Sequence, residues 1–318
     1  KLQYGLRFCL DRIFNRNSID PDDHFKLLIQ KMGLFRGMIM KNRTTRVSLR
    51  TVSLYILMVF ISLIFMVPLF WMISTSLKTQ FEVFTWPPQF IPSVAHWENY
   101  KIALTKYPFI KFIFNTSFLV ILNIAGELIS VPLVAYGFAR LNFKFKGTLF
   151  VLMIATMILP LQIKLIPLYV LYSKIGWTNT YLPLIIPSLF GNPFFIFLMI
   201  QYMKTIPRDL DDAAKIDGAG TFSILYNIIL PLCKPAITVI AVYTFLWTWN
   251  GFLEPLIYLK DYSKYTVQLG LQMFQGFSGV EWNLFMAATL VTILPILVLY
   301  FFVQKSLIGG IASVGIKG

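Results

Sequence analysis

Six blocks of the sequence are predominantly apolar, at about 52–73, 112–139, 148–170, 182–202, 236–256 and 284–303. Each is close to the ~20 residues a helix needs to cross the hydrocarbon layer of a bilayer. The pattern predicts an all-α polytopic membrane protein with six transmembrane helices. Pro132, Pro160, Pro167, Pro183, Pro187 and Pro193 fall inside three of the blocks. Those helices are expected to bend or unwind where neighbouring protein or water supplies the missing hydrogen bonds. Between the fourth and fifth blocks lies a polar interruption, Pro207–Pro235, with four acids between Asp209 and Asp217. Asp209, Asp211 and Asp212 follow Pro207, where a helix start favours negative charge. Ala213, Ala214, Lys215 and Ile216 continue as helix formers, and Gly218 and Gly220 stop or bend the segment. Phe222, Leu225, Ile228 and Ile229 then recur at helical spacing before Pro231, which predicts a second short amphipathic helix.

Composition supports the membrane reading. Of 318 residues, 57% are hydrophobic and 13% charged, whereas about a quarter are charged in soluble domains. The formal net charge of +14 does not indicate nucleic acid, because the basic residues form no groove interleaved with aromatics. They collect beside the apolar blocks, which suits an anionic inner membrane surface. Residues 1–50, the 140–146 turn, the 202–235 connector and the tail hold 20 Lys/Arg, against 7 in the connectors 76–111, 173–181 and 257–283. The positive-inside rule then puts both termini and the 207–235 stretch in the cytoplasm.

Residues 1–50 carry eleven Lys/Arg and read either as a helix at the headgroup interface or as a basic orientation signal. Residues 76–111, with Trp86, Trp97 and Tyr100, read as an aromatic-rich interfacial loop. Cys9 and Cys233 both fall on the cytoplasmic side, so no structural disulfide is expected. The first long apolar run starts only near Leu54, so no removable signal peptide is expected.

The 207–235 stretch resembles the EAA loop of importer-type ABC transporter permeases, usually E-A-A, two residues, D-G-A and a downstream I-x-L-P. Asp212, Ala213 and Ala214 stand at the E-A-A positions, followed by Asp217, Gly218, Ala219 and then Ile228, Leu230 and Pro231. The first acid is shorter than the family's Glu. The resemblance spans residues 51–318 and implies the importer-type permease fold, with a coupling helix that docks in a cleft of a cytoplasmic ATPase. It assigns coupling to Asp209, Asp212, Ala213, Ala214, Asp217, Gly218, Ala219, Leu230 and Pro231. The tail, 307–318, resembles the end of MalG-type sugar permeases, where terminal residues reach along the ATPase dimer interface. Gly309, Gly310, Gly315 and Lys317 are the candidates for that contact.

The same resemblance implies four kinds of partner: a second homologous permease, two ATPase subunits, an extracytoplasmic solute-binding protein and a carbohydrate. ATP and Mg would be bound by the ATPase subunits and no cofactor by this chain. The membrane would be the bacterial inner membrane. The solute would be an oligosaccharide or polysaccharide, with an acidic polymer such as alginate conceivable. The basic segment before residue 51 departs from compact members.

Within the spans, Glu127 and Lys164 are ionisable and costly unless they face a partner or a wet cavity. Either they line the translocation path or pair across spans, or Lys164 snorkels and Glu127 satisfies a local polar contact. Trp247, Trp249 and Asn250 offer aromatic faces and an amide, a combination that can grip sugar rings; the alternative is span packing and an interfacial belt. In the connector 257–283, Tyr265, Gln268, Gln272 and Gln275 are candidates for touching a binding protein, or form a plain surface loop.

No G-x-x-x-x-G-K-[S/T] string and no H-E-x-x-H motif occur, so neither a phosphate-cradling loop nor a zinc-protease centre is expected. His24 and His96 are the only histidines, too few for a metal centre. The expected organisation is a basic segment, 1–50, a permease domain, 51–304, with the coupling loop 207–235, and a tail, 305–318. The expected function is a non-catalytic permease subunit in ATP-driven sugar import. The alternatives are a secondary sugar transporter, a membrane enzyme or assembly factor, and a permease for a non-carbohydrate solute.

Overall fold

The computed structural model describes residues 49–276 and 279–314, with side chains described for 51–276 and 279–304. The basic segment 1–48, with Cys9 and His24, lies outside the described residues, as do Gly315 and Lys317. The chain divides into two units, residues 1–67 and 68–318. Helix α1 (Leu49–Ser76) runs across that division, and in the first unit it exposes its apolar side chains from Val52 through Val67, as a helix immersed in apolar surroundings does.

In the second unit, helix α2 (Glu98–Lys106) precedes the 32-residue helix α3 (Phe109–Arg140). Helices α4 (Lys146–Ile158) and α5 (Leu161–Lys174) meet at a 100° bend. The bend falls at Leu159 and Pro160, both extended (ψ 112° and 147°). A residue before proline is driven out of the helical region, which explains the break. The fourth apolar block is also broken. A helical turn, Leu182–Ile185, and a 3-10 turn, Ile186–Phe190, lead to Gly191 at φ +78°, before helix α6 (Pro193–Lys204).

Helices α7 (Asp209–Ile216) and α8 (Thr221–Leu232) follow. Helix α9 (Lys234–Trp249) leaves α8 at a 79° bend. Helices α10 (Leu253–Tyr258), α11 (Val267–Gln272) and α12 (Trp282–Val314) complete the order. Among the described residues four helices are long and apolar enough to cross a membrane, and six spans result if each bent pair counts as one.

Several expectations change. The fifth block ends at Trp249 rather than near 256, because Asn250 and Gly251 break it before α10. The connector 76–111 is not simply an interfacial loop. Asn99 on α2 donates to the carbonyls of Ser76 and Lys78, both at 2.9 Å, and buried Lys78 lies 4.5 Å from the Trp71 ring. Burial lowers the Lys78 ammonium below its ordinary pKa, opposed by the charge of Glu82. Phe222, grouped by its spacing with Leu225, Ile228 and Ile229, is 70% exposed, whereas Ile224, Leu225 and Ile229 are buried. Residues Leu225–Ile229 form a π turn in which the Leu230 amide bonds to Leu225. The wide turn relieves the clash and lost donor that Pro231 would impose on a regular helix.

Helix α3 is the axis of packing, with half of its most apolar window buried. Toward its C-terminus, Val131, Ala135 and Ala139 share a core with Met199 and Met203 of α6 and Ile240 of α9. Toward its N-terminus, Phe109 and Phe112 share a second core with Trp249, Val267 and Ala287. Small residues at these crossings let backbones approach, the main source of helix association in lipid. Gly126 lets the 3-10 turn approach α3 in the same way: a Cβ there would stand 2.5 Å from Ser188 Oγ.

The connector 257–283 is folded onto the same helix. Asn115 donates to the carbonyls of Ser263 and Tyr265 at 3.1 and 3.0 Å, and the Val267 amide donates to Thr116 Oγ1 at 2.8 Å. Replacing Asn115 with Ala removes two hydrogen bonds from a half-buried site, an expected loss of about 1–3 kcal/mol. Hydrogen exchange should then accelerate at 263–272 and stay unchanged in α6; equal protection in both proteins would contradict this role.

Candidate functional site

Helix α7 is short and two-sided. Asp209, Asp211 and Asp212 occupy its first turn and Lys215 its last, matching the signs a helix dipole favours. It ends in a Schellman turn, in which Ala219 donates to the Ala214 carbonyl at 2.9 Å and Gly218 to that of Lys215 at 3.0 Å. Gly218 takes φ +80° there, the left-handed conformation that glycine adopts without cost.

On the inner side of α7 only Asp211 and Ala214 are buried. On the outer side Asp209, Asp212, Ala213, Asp217 and Gly218 are exposed. The outer face also has apolar members. Leu210 is exposed, Ile216 is 87% exposed, and Phe222 and Tyr226 on α8 are open as well. Ala219 and Leu230 are half-buried and Pro231 exposed. Asp212 pairs with Lys215 at 2.9 Å on the surface, and this hydrogen bond raises the Lys215 ammonium above its ordinary pKa. Adjoining apolar residues left open beside acidic ones make a surface suited to a protein partner.

Beneath α7 lies a cleft of about 260 Å³, lined by Tyr136, Arg140, Arg208, Asp211, Lys215 and Ile224 among others. Arg140 Nε approaches Asp211 Oδ2 to 3.5 Å, with both side chains almost wholly buried. Sequence reasoning did not place Arg140 or Asp211 in the site. Both stand in polar, charged segments that read as solvated. Only the single basic residue ending the apolar run at 139 signals that Arg140 sits at a helix terminus.

The candidate residues within the spans separate. Glu127 is buried and accepts the Asn192 amide at 2.9 Å, while neighbouring Ser130 donates to the Ser188 carbonyl at 3.1 Å. Glu127 and Ser130 thus supply partners to backbone freed by the break at Gly191. No ion pair joins Glu127 to Lys164 among the described residues, and Lys164 is half-buried. Trp249 is 2% exposed, donates to the Thr292 carbonyl at 3.1 Å and stacks on Phe245 with centroids 5.5 Å apart. It is a packing residue of the α9–α12 contact. Trp247 is 61% exposed, and exposed Asn250 donates to the Leu246 carbonyl at 2.9 Å.

In the folded connector, Tyr265 is half-buried against Phe112, with centroids 6.3 Å apart. Gln268 lies 3.4 Å from Asn250 Oδ1. Gln272 and Gln275 are exposed and bonded to each other at 3.2 Å. Gly309 and Gly310 fall within α12, which continues to Val314. Among the described residues no group of three His, Cys, Asp or Glu is placed to hold a metal ion.

Comparison with known proteins places these features in a wider set. The model of a family described as binding-protein-dependent transport system inner membrane component matches residues 129–311, a range that contains α7 and α8. The chain is 31% identical over 252 residues to the sulfoquinovosyl glycerol transport system permease protein SmoH of Agrobacterium fabrum, covering 79% of this chain and 88% of the relative. It is 29% identical over 282 residues to the arabinooligosaccharides transport system permease protein AraQ of Bacillus subtilis, covering 88% of this chain and 100% of the relative. A chain from the crystal structure of a bacterial ABC transporter involved in import of the acidic polysaccharide alginate superposes with a TM-score of 0.70 at 21% identity. That match covers 84% of this chain and 99% of the other. A chain from the bacterial alginate ABC transporter in complex with an alginate pentasaccharide-bound periplasmic protein gives a TM-score of 0.57 at 18% identity, covering 82% and 96%.

Proposed function

The chain belongs to the family of binding-protein-dependent transport system inner membrane components, and from that premise we propose that it is a sugar permease whose α7 docks on a partner ATPase. The observation that carries the docking is the two-sided build of α7, with Asp211 and Ala214 turned inward and Leu210, Ala213 and Ile216 turned out. The excess of Lys/Arg in 1–50, 140–146 and 202–235 supports a cytoplasmic α7 and cytoplasmic termini in a bacterial inner membrane.

In this reading a second permease completes the pathway, and two ATPase subunits bind ATP and Mg. Their closure moves α7, and the spans exchange an inward-open for an outward-open cavity. An extracytoplasmic binding protein delivers the solute to the side carrying Gln272 and Gln275. A carbohydrate solute is supported by the named transport systems of SmoH and AraQ. An oligosaccharide or polysaccharide fits the fold shared with the alginate importer.

The test is the reconstituted assembly with Ile216→Cys on α7. Cross-linking of that cysteine to the ATPase is expected, together with ATP-dependent uptake of labelled oligosaccharide loaded on the cognate binding protein. Failure of the cross-link in an active assembly sinks the docking assignment. Uptake of amino acids or peptides, with no sugar carried, sinks the carbohydrate assignment alone.

A further inference from the structure

The docking face does not account for the charge pair beneath it. Asp209, Asp212 and Asp217 point outward, whereas Asp211 is turned inward against Arg140, with side chains 6% and 5% exposed and 3.5 Å apart. Two charges withdrawn from water are costly to keep unless each holds the other. Two further bonds cross the same joint in opposite directions. Arg140, the last residue of α3, donates Nη2 to the carbonyl of Ile206 at 2.8 Å. Arg208, just before α7, donates Nη2 to the carbonyl of Ala139 at 3.3 Å. The Ala139 carbonyl lies in the last turn of α3, where carbonyls lack an intrahelical donor and a cation is favoured. Ala214 completes the joint by packing into the core that holds Tyr136 and Ala139. Among the described residues no other span receives an ion pair or side-chain hydrogen bond from α7.

We propose that Arg140 and Asp211 are positioning residues that clamp α7 to α3, so that displacement of α7 enters the membrane through α3. The inference rests on the coupling reading above and adds which span takes the motion, and through which side chains. Helix α3 is suited to carry it. Its 32 residues span about 48 Å at 1.5 Å per residue. Its other end holds the connector through Asn115 and Thr116. The same helix therefore joins the cleft under α7 to the loop that bears Tyr265, Gln268 and Gln272. Coupling of this kind needs a physical element that both sites bias, not proximity alone. A helix clamped at both ends meets that need.

The experiment uses the full assembly with spin labels at Ile216→Cys on α7 and Ile121→Cys on the exposed face of α3, measured with and without ATP and Mg. With the native clamp, the separation of the two labels stays fixed through the nucleotide cycle, because α7 and α3 move together. In Arg140→Met the separation shifts or broadens when nucleotide is added, and solute moved per ATP hydrolysed falls roughly tenfold.

Asp211→Asn, which keeps the size of the side chain and removes its charge, is expected to behave alike. It decides the matter if Arg140→Met does not assemble. Arg140→Lys retains the charge but reaches only one of its two partners, and should fall between. A separation that changes with nucleotide in the native clamp, or that stays fixed in Asp211→Asn, overturns the proposal. The Ile216 cross-link to the ATPase is read in a parallel, unlabelled preparation of each variant. Its loss from the native assembly counts against docking, whereas a free α7 with the cross-link intact bears on the clamp alone.

Discussion

Gly270→Leu is expected to destabilise the chain by about 3 kcal/mol or more, since overpacking a closed site forces neighbours off their minima. A Cβ at position 270 would overlap the Phe112 ring at Cδ2 and Cε2. That ring has no room to yield. Phe112 is fully buried, and Phe109, Tyr262 and Tyr265 stand around it with centroids 6.2, 5.8 and 6.3 Å away. Moving it would drag the 262–272 connector off α3 and break the Asn115 bonds. The measurement is the thermal transition of the purified chain in detergent. Gly270→Ala should lower it too, because the first added carbon already meets the ring. Combining Gly270→Ala with Phe112→Leu should recover part of the loss. Unchanged stability in Gly270→Leu would show that α11 does not pack on α3 as described.

Gly218→Val is expected to cut ATP-driven uptake by about an order of magnitude while leaving the membrane core intact. Nothing lies within 4 Å of a Cβ built at Gly218, so the effect is one of backbone conformation and not of crowding. Holding an L-residue at φ +80° costs about 1–2 kcal/mol. That is roughly a 5- to 30-fold bias against the native turn. The turn fixes the angle between α7 and α8 and hence the relation of Ile216 to Phe222 on the outer surface. Gly218→Asn is the control, because asparagine tolerates the left-handed region and should retain most of the transport. Full uptake by Gly218→Val would remove the Schellman turn from the coupling account.

What was legible follows from what burial does to a pattern. The second span, expected at 112–139, is Phe109–Arg140, since length and hydropathy report immersion in lipid directly. The third block was also found, and Pro160 marked its weak point. A proline announces a break but carries no angle, so the 100° bend had to come from the structure. The helix over 209–216 was readable from its acids and from Gly218. The inward turn of Asp211 was not, because an acid among acids looks solvated until its arginine is seen beside it. Trp249 shows the converse. An indole next to an amide can be read as a sugar platform or as packing, and its bond to the Thr292 carbonyl belongs to the second. The connector 257–283 looked like surface because it is short of apolar runs. It folds because Val267, Leu271 and Phe274 share a core with Phe109 and Phe112 of α3.

The bend between α4 and α5 has a bearing on the lipid around it. Helix α4 has 13 residues, about 20 Å of rise, set against a hydrocarbon thickness of about 30 Å. Counted as one span with α5, which is turned by 100°, the pair falls short of the bilayer that a straight helix of the same residues would cross. A short span is met by thinning of the bilayer or by packing against another subunit, and such mismatch costs fractions of a kcal/mol per Å. For a span built this way, the thickness of the host membrane is a variable that acts where the chain folds back on itself.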